Sequence, residues 1–151
     1  MKRKTIKNTV EISGIGLHKG EKIKMVLRPV SQETGIVFKR LDVNDKNNVI
    51  KVAHENLFDL ERGTNIQNED GVRLHTIEHF MSALSVCGIT DIFVEIEGNE
   101  MPILDGSSIQ FVEKIENAGI LELDEEIEPV VIKEPVIFSD EKAGKYVMAL
   151  P

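Results

Sequence analysis

Along the first quarter of the chain the apolar positions recur at a period of two. Ile23, Met25 and Leu27 alternate with Lys22, Lys24 and Arg28, as in a strand with one buried face, and Pro29 ends the run. Val10 and Ile12 alternate with Thr9 and Glu11. Gly14, Gly16 and Gly20 separate the two runs, which predicts an antiparallel pair around a wide glycine-rich loop carrying His18. Ile36 to Leu41 and Val49 to Ala53 read as further short strands, parted by the turn-rich Asp42 to Asn48. The polar stretch Asp59 to Gly71 reads as loop.

From Leu74 the period changes. Leu74, Ile77, Met81 and Leu84 fall at spacings of three, four and three, one apolar stripe of an α-helix, with Gly88 as its stop. Ile92, Val94 and Ile96 alternate with Phe93, Glu95 and Glu97 as another strand, turned by Gly98-Asn99. Asp105-Gly106-Ser107-Ser108 offers N-capping side chains to a second helix, in which Ile109, Val112 and Ile115 face the core and which ends near Gly119. The acidic run Leu123 to Glu128 reads as a solvated connector, and a domain boundary is placed there. Residues 1–124 form a first α/β domain, and residues 125–151 a linker with the first strands of an incomplete second one. Val130 to Ile132, Val136 to Phe138 and Tyr146 to Leu150 read as strands, and residues 145–151 faintly echo residues 22–29. A terminal piece of about 25 residues cannot make its own core, so it must pack on the first domain or stay poorly ordered.

Composition narrows the class. With 151 residues, 41% apolar and 29% charged, the chain suits one soluble domain or one and a fraction, and not a disordered, collagen-like or membrane-spanning protein. Lys+Arg 18 against Asp+Glu 26 gives a net charge of −8, the wrong overall sign for a nucleic-acid binder. Cys87 is the single cysteine, which excludes an intrachain disulfide framework and a Cys-based zinc finger and favours a reducing compartment. Near the end of the first helix it reads as a small buried hydrophobe. Met1-Lys2-Arg3-Lys4 has the charge of a signal-peptide start, but Thr5, Lys7, Asn8 and Thr9 stand where an apolar segment would follow, so the expectation is a cytoplasmic protein with no transmembrane segment.

The densest chemistry is His75-Thr76-Ile77-Glu78-His79. On a helix, at about 100° per residue, His75 and His79 would lie on one side, opposite the apolar stripe, with Glu78 close by. Neutral imidazoles bind Zn²⁺, and a neighbouring carboxylate can take a proton from a water that the metal has acidified to a pKa of about 7. The pattern alone fits an H-x-x-E-H metallopeptidase, with both histidines as ligands and a third ligand from elsewhere. It equally fits the wet face of an ordinary amphipathic helix. The other histidines are His18 and His54.

Four segments resemble one known family. They are Gly14-Ile15-Gly16-Leu17-His18-Lys19-Gly20; Arg62-Gly63-Thr64; Val72 to Leu84, with the two histidines; and Glu100-Met101-Pro102-Ile103-Leu104-Asp105-Gly106-Ser107. In this order they are similar to the zinc-dependent UDP-3-O-acyl-N-acetylglucosamine deacetylases of lipid A biosynthesis in Gram-negative bacteria. One departure is Ile92 after Asp91, where the family usually has Asn, a difference that bears on the local turn. The resemblance implies two similar α/β halves with the active site between them. The expected fold class is therefore α+β, a two-layer sandwich of a mixed or antiparallel sheet with helices packed on one face, and a second similar domain starting at the C-terminus. It also implies Zn²⁺ as cofactor, His79 as a zinc ligand, Glu78 as general base, and His75 as a neighbour but not a ligand. The substrate implied is a nucleotide sugar carrying an acyl chain, from which the N-acetyl group is hydrolysed to acetate.

Beside these residues stand candidates with plainer alternatives. His18 lines the site by family position, or is a surface loop histidine. Thr64 offers a site-lining hydroxyl, and Gly63 beside it would let substrate approach the backbone. Asp105 is a substrate contact or an N-cap. The family takes two further zinc ligands from a His-Lys-x-x-x-Asp motif in its second half, and its acid histidine from farther on; this sequence has no such motif. The expectation is an N-terminal fragment, inactive without the C-terminal half. The alternatives are the metallopeptidase, which needs His75 as a ligand, and a non-catalytic fragment that keeps only folding or partner-binding capacity.

Overall fold

The alternation of residues 22–28 is realised as strand β3 (Lys22–Arg28), with Ile23, Met25 and Leu27 buried and Lys22, Lys24 and Arg28 exposed. A computed structural model describes residues 1–45 and 47–151; Lys46, within the turn-rich stretch read at 42 to 48, lies outside the described residues. β3 sits inside a five-stranded sheet with β2 (Val10–Ile15), β4 (Ile36–Arg40), β5 (Val49–Lys51) and β9 (Ile92–Glu97), in the order β2-β3-β9-β4-β5. All neighbours are antiparallel except β4 and β9, so the sheet is mixed. The register pairs Ile12 with Met25, Met25 with Ile96, and Leu27 and Phe38 with Val94. One face of the sheet is thereby apolar.

Helices α1 (Glu78–Cys87) and α2 (Ile109–Ala118) supply the other layer, burying Phe80, Ala83 and Leu84 from α1 and Phe111, Ile115 and Ala118 from α2. The Phe80 ring meets Phe38 of the sheet edge-on at 6.1 Å and Phe111 of α2 at 5.5 Å. It joins both helices to the sheet, a fully buried side chain worth about 1.5–3 kcal/mol of transfer free energy. The result is the expected α+β two-layer sandwich. Gly88, at φ 68°, ends α1 in the left-handed conformation that a helix stop needs.

Several sequence expectations need correction. α1 begins at Glu78, not at Leu74: Leu74 belongs to a strand, and Thr76 adopts φ 62°, which no α-helix accommodates. Ile109 is 53% exposed, because the inward stripe of α2 is Phe111, Ile115 and Ala118. The stretch 59 to 71 is not all loop. β6 (Leu57–Phe58), β7 (Asn65–Gln67) and β8 (Arg73–Leu74) form a three-stranded sheet, too short in each strand for periodicity to register, with Ile66 and Leu74 paired and buried. Residues 2–6, given no element above, are strand β1 (Lys2–Ile6), antiparallel to β10 (Ile120–Glu126). Part of the acidic run is therefore strand: Lys2 faces Glu126 and Lys4 faces Glu122. Val130 to Ile132 forms no strand; Pro129 and Pro135, which lack an N–H donor, bracket it. β11 (Val136–Asp140) and β12 (Lys145–Ala149) pair as an antiparallel hairpin with every residue exposed.

Asp91, next to the departing Ile92, is a hub of hydrogen bonds. Asp91 is fully buried, and its Oδ1 accepts the N–H groups of Thr34 at 2.8 Å and Gly35 at 2.7 Å, while Oδ2 accepts Arg3 Nη1 at 3.0 Å and the Thr90 hydroxyl at 2.6 Å. Burial alone would raise its pKa; these hydrogen bonds outweigh it and hold the carboxyl below the usual value. Ile92 follows as a buried first residue of β9.

Candidate active site

The loop before α1 is laced to the helix start by backbone demand. Ile77 N–H donates to Thr64 O at 3.0 Å, and Thr76 N–H donates to the buried Asn65 Oδ1 at 3.1 Å, while Asn65 Nδ2 donates to Asp59 O at 2.6 Å. With the loop so held, Thr64 N–H donates to Glu78 Oε2 at 3.0 Å, and a Cβ on Gly63 would stand 3.6 Å from Glu78 Oε1. Gly63, Thr64 and Glu78 thus stand side by side. Glu78 occupies the first turn of α1, where the helix dipole favours a negative group. His79 follows it, half-buried. Beside Glu78 opens a cavity of about 560 Å³, with Val52, Leu57, Ile77 and Met81 in its apolar lining and His54, Thr64, Glu78 and Ser82 as polar members. A carboxyl at the edge of an apolar cavity, steadied by one backbone N–H, can accept a proton from a nucleophile held there.

His75 belongs elsewhere. Its N–H donates to Asn99 O at 2.9 Å and its carbonyl accepts Met101 N–H at 3.0 Å, so its backbone is spent on extended pairing instead of helix. Its ring meets Phe58 edge-on at 5.4 Å, and the Arg73 guanidinium lies 4.9 Å from the same Phe58 ring. Burial holds the imidazole pKa below its usual value, with Lys19 and Arg73 acting the same way and Glu100 and Asp59 opposing. A second, smaller cleft of about 150 Å³ is lined by His75, His18, Lys19, Asn99 and Glu100. The placement of His75 and His79 on one helical face is therefore wrong, and the geometry that an H-x-x-E-H peptidase needs is not formed.

The remaining predicted residues divide. His18 is exposed and goes with His75: its N–H donates to Glu100 Oε1 at 3.0 Å, and its Nε2 lies 4.0 Å from the same oxygen. Asp105 is neither the N-cap nor a lining residue of these two cavities. The helix N-cap is Ser108, and Asp105 Oδ1 instead accepts the Ser107 N–H at 2.9 Å and hydroxyl at 2.8 Å in an exposed turn, which holds its carboxyl below the usual range. Cys87 is half-buried, and burial pushes its thiol pKa up. Sequence reasoning passed over Glu100 as a site residue. Its signal was an acid opening the apolar run Met101-Pro102-Ile103-Leu104.

Among the described residues no group of three or more His, Cys, Asp or Glu side chains is placed to hold a metal ion. A catalytic zinc takes about three protein ligands, and no such set is formed among the described residues.

The whole chain can now be set beside known proteins. Residues 3–151 match the model of the UDP-3-O-acyl N-acetylglycosamine deacetylase family. The chain belongs to this family. Relatives named UDP-3-O-acyl-N-acetylglucosamine deacetylase include that of Geotalea uraniireducens, 42% identical over 99% of this chain and 47% of the relative. That of Sulfurovum sp. is 42% identical over 100% of this chain and 49% of the relative, and that of Pseudoalteromonas atlantica 41% identical over 93% and 46%. The chain spans about half the length of the curated relatives it matches. Among the described residues no helix is long and apolar enough to cross a membrane.

Proposed function

We propose that this chain forms one wall of a zinc-dependent deacetylase site that hydrolyses the N-acetyl group of UDP-3-O-acyl-N-acetylglucosamine, the deacetylation step of lipid A biosynthesis, in the cytoplasm. The observation that carries the reading is the Thr64 N–H to Glu78 hydrogen bond, which sets a carboxyl at the cavity edge on the helix turn that also bears His79, in a chain of this family. Glu78 takes the proton from the attacking water. His79 contributes one imidazole toward Zn²⁺, and the other zinc ligands and the acid for the leaving amine come from outside these 151 residues. Zinc, when bound, supplies Lewis-acid polarisation and stabilises negative charge as it develops on the amide oxygen. Consecutive helix residues point about 100° apart, so Glu78 and His79 do not readily share one ion, which favours proton transfer by Glu78 over ligation.

Gly63 and Thr64 line the substrate path, and His18 and Asp105 make substrate contacts from their loops. Residues 1–124 form the first unit and 125–151 lead into a second similar one. The test is acetate release from the acylated nucleotide sugar, measured on the full-length protein with and without chelator and on the 151-residue chain alone. Chelator-sensitive release by the former and none by the latter is expected. Release by the chain alone, with added Zn²⁺ and clear of contaminating enzyme, would show that the second half is not required.

A further inference from the structure

Glu100 is an acid only 3% exposed that the proposed chemistry does not use. Burying a carboxyl is costly unless partners hold it, so its partners tell what it is for. Oε1 accepts the His18 N–H at 3.0 Å and the Thr76 hydroxyl at 3.4 Å. Oε2 lies so close to Gly16 that a Cβ there would stand 2.5 Å from it, a position only glycine tolerates while the carboxyl stays in place. Backbone bridges run alongside, from Glu100 to His75 and from Pro102 to Gly16. One carboxyl therefore joins two segments about 60 positions apart in sequence: the glycine-rich loop carrying His18 and the left-handed turn that leads into Glu78 and His79.

The backbone around this junction is strained. Asp59 (φ 41°), Arg62 (59°), Thr76 (62°) and Leu104 (55°) are the non-glycine residues with positive φ among those described, and each lies within five positions of Thr64, Glu78 or Glu100. Such conformations are costly for residues with a Cβ and persist where surrounding contacts over-determine them. At Thr76 those contacts are Asn65, which takes the N–H, and Glu100, which takes the hydroxyl.

We propose that Glu100 is a positioning residue of the deacetylase site: its buried carboxyl clamps the His18 loop to the Thr76 turn, so that His18, Glu78 and His79 meet the substrate in one fixed relation. The role rests on the deacetylase reading above; the clamp itself does not. In this chain, hydrogen exchange of the His18 amide followed by NMR is the direct readout. Glu100→Ala should speed it at least about 10-fold, while Glu100→Gln, which keeps an acceptor oxygen, should stay within about threefold of the parent. Gly16→Ala, which displaces the carboxyl without altering it, should reproduce the Glu100→Ala result. In the full-length enzyme, Glu100→Ala should lower kcat by roughly 10²-fold per folded molecule with KM changed far less, and Glu100→Gln should recover most of the loss. An unchanged His18 exchange rate in both Glu100→Ala and Gly16→Ala, or an unchanged kcat per folded molecule in Glu100→Ala, overturns the proposal. If the exchange results hold but the parent full-length protein releases no acetate, the deacetylase reading fails and the clamp stands.

Discussion

Thr76 divides two short stretches that differ in backbone pairing and in neighbours. On its N-terminal side His75 is framework: both backbone polar groups are spent on the 99–101 segment, and the ring is packed on Phe58. On its C-terminal side Glu78 and His79 open a helix whose next residue, Phe80, anchors the core. Their side chains are half-buried, and one backbone N–H steadies the Glu78 carboxyl beside a cavity of about 560 Å³. A single residue at φ 62° therefore separates a histidine whose backbone pairs with the 99–101 segment from an acid and a histidine that open a helix. The lesson is that side-chain placement here follows what the backbone has already been asked to do, not spacing along the chain.

The largest effect should come from the helical side. In the full-length enzyme Glu78→Gln should keep the fold and about one zinc per chain yet lower kcat by roughly 10²–10⁴, the range for removal of a general base. Metal analysis with steady-state kinetics decides the matter: lost zinc means that Glu78 is a ligand, and near-normal kcat with zinc retained means that it is not the base. Next comes the contrast between the two histidines. His79→Ala should remove most zinc from the full-length enzyme, whereas His75→Ala should leave the stoichiometry nearly intact and reduce activity modestly at most. Equal zinc loss from both would erase the division at Thr76.

A third measurement addresses the divider. Asn65→Ala leaves the Thr76 N–H without its buried acceptor and should cost about 1–3 kcal/mol in urea unfolding of this chain. A cost below about 0.5 kcal/mol would mean that the left-handed turn does not depend on Asn65.

How much of this was legible in the sequence follows from the same physics. β3 and β9 were readable because each carries three buried residues at a strict period of two. The start of α1 was not, because Leu74 and Ile77 are both buried and happen to fit a helical stripe although one is in a strand and the other precedes the helix. Nothing local marks Thr76 as left-handed; the bonds that hold it there come from Asn65 and Glu100, 11 and 24 positions away. The contact of Thr64 with Glu78 has no signal in the sequence pattern, since residues 14 positions apart across a strand and a turn leave no periodic trace. The pairing of β1 with β10 joins Lys2 to Glu126 and Ile6 to Ile120, a separation that no window along the chain can contain.

The smallest expected effect is a pH dependence of stability from His75. Burial is the largest cause holding its imidazole pKa below the ordinary 6.5, so between those two values the unfolded chain binds more protons than the folded one. Stability should therefore be unaffected by His75 above about pH 7.5 and should fall as the pH drops through 6.5 toward the lower folded value, below which the loss is complete. The carboxylates also titrate on the acid side, but they do so in parent and variant alike. The informative quantity is thus the difference in unfolding free energy between the parent chain and His75→Gln, followed from pH 7.5 to 5.5. That difference should move in favour of the variant by less than about 1 kcal/mol, because the half-buried ring is still partly screened by solvent. A flat difference, or one that moves in favour of the parent, would mean that His75 is as open to solvent as an ordinary loop histidine and that the contrast across Thr76 is weaker than its geometry implies.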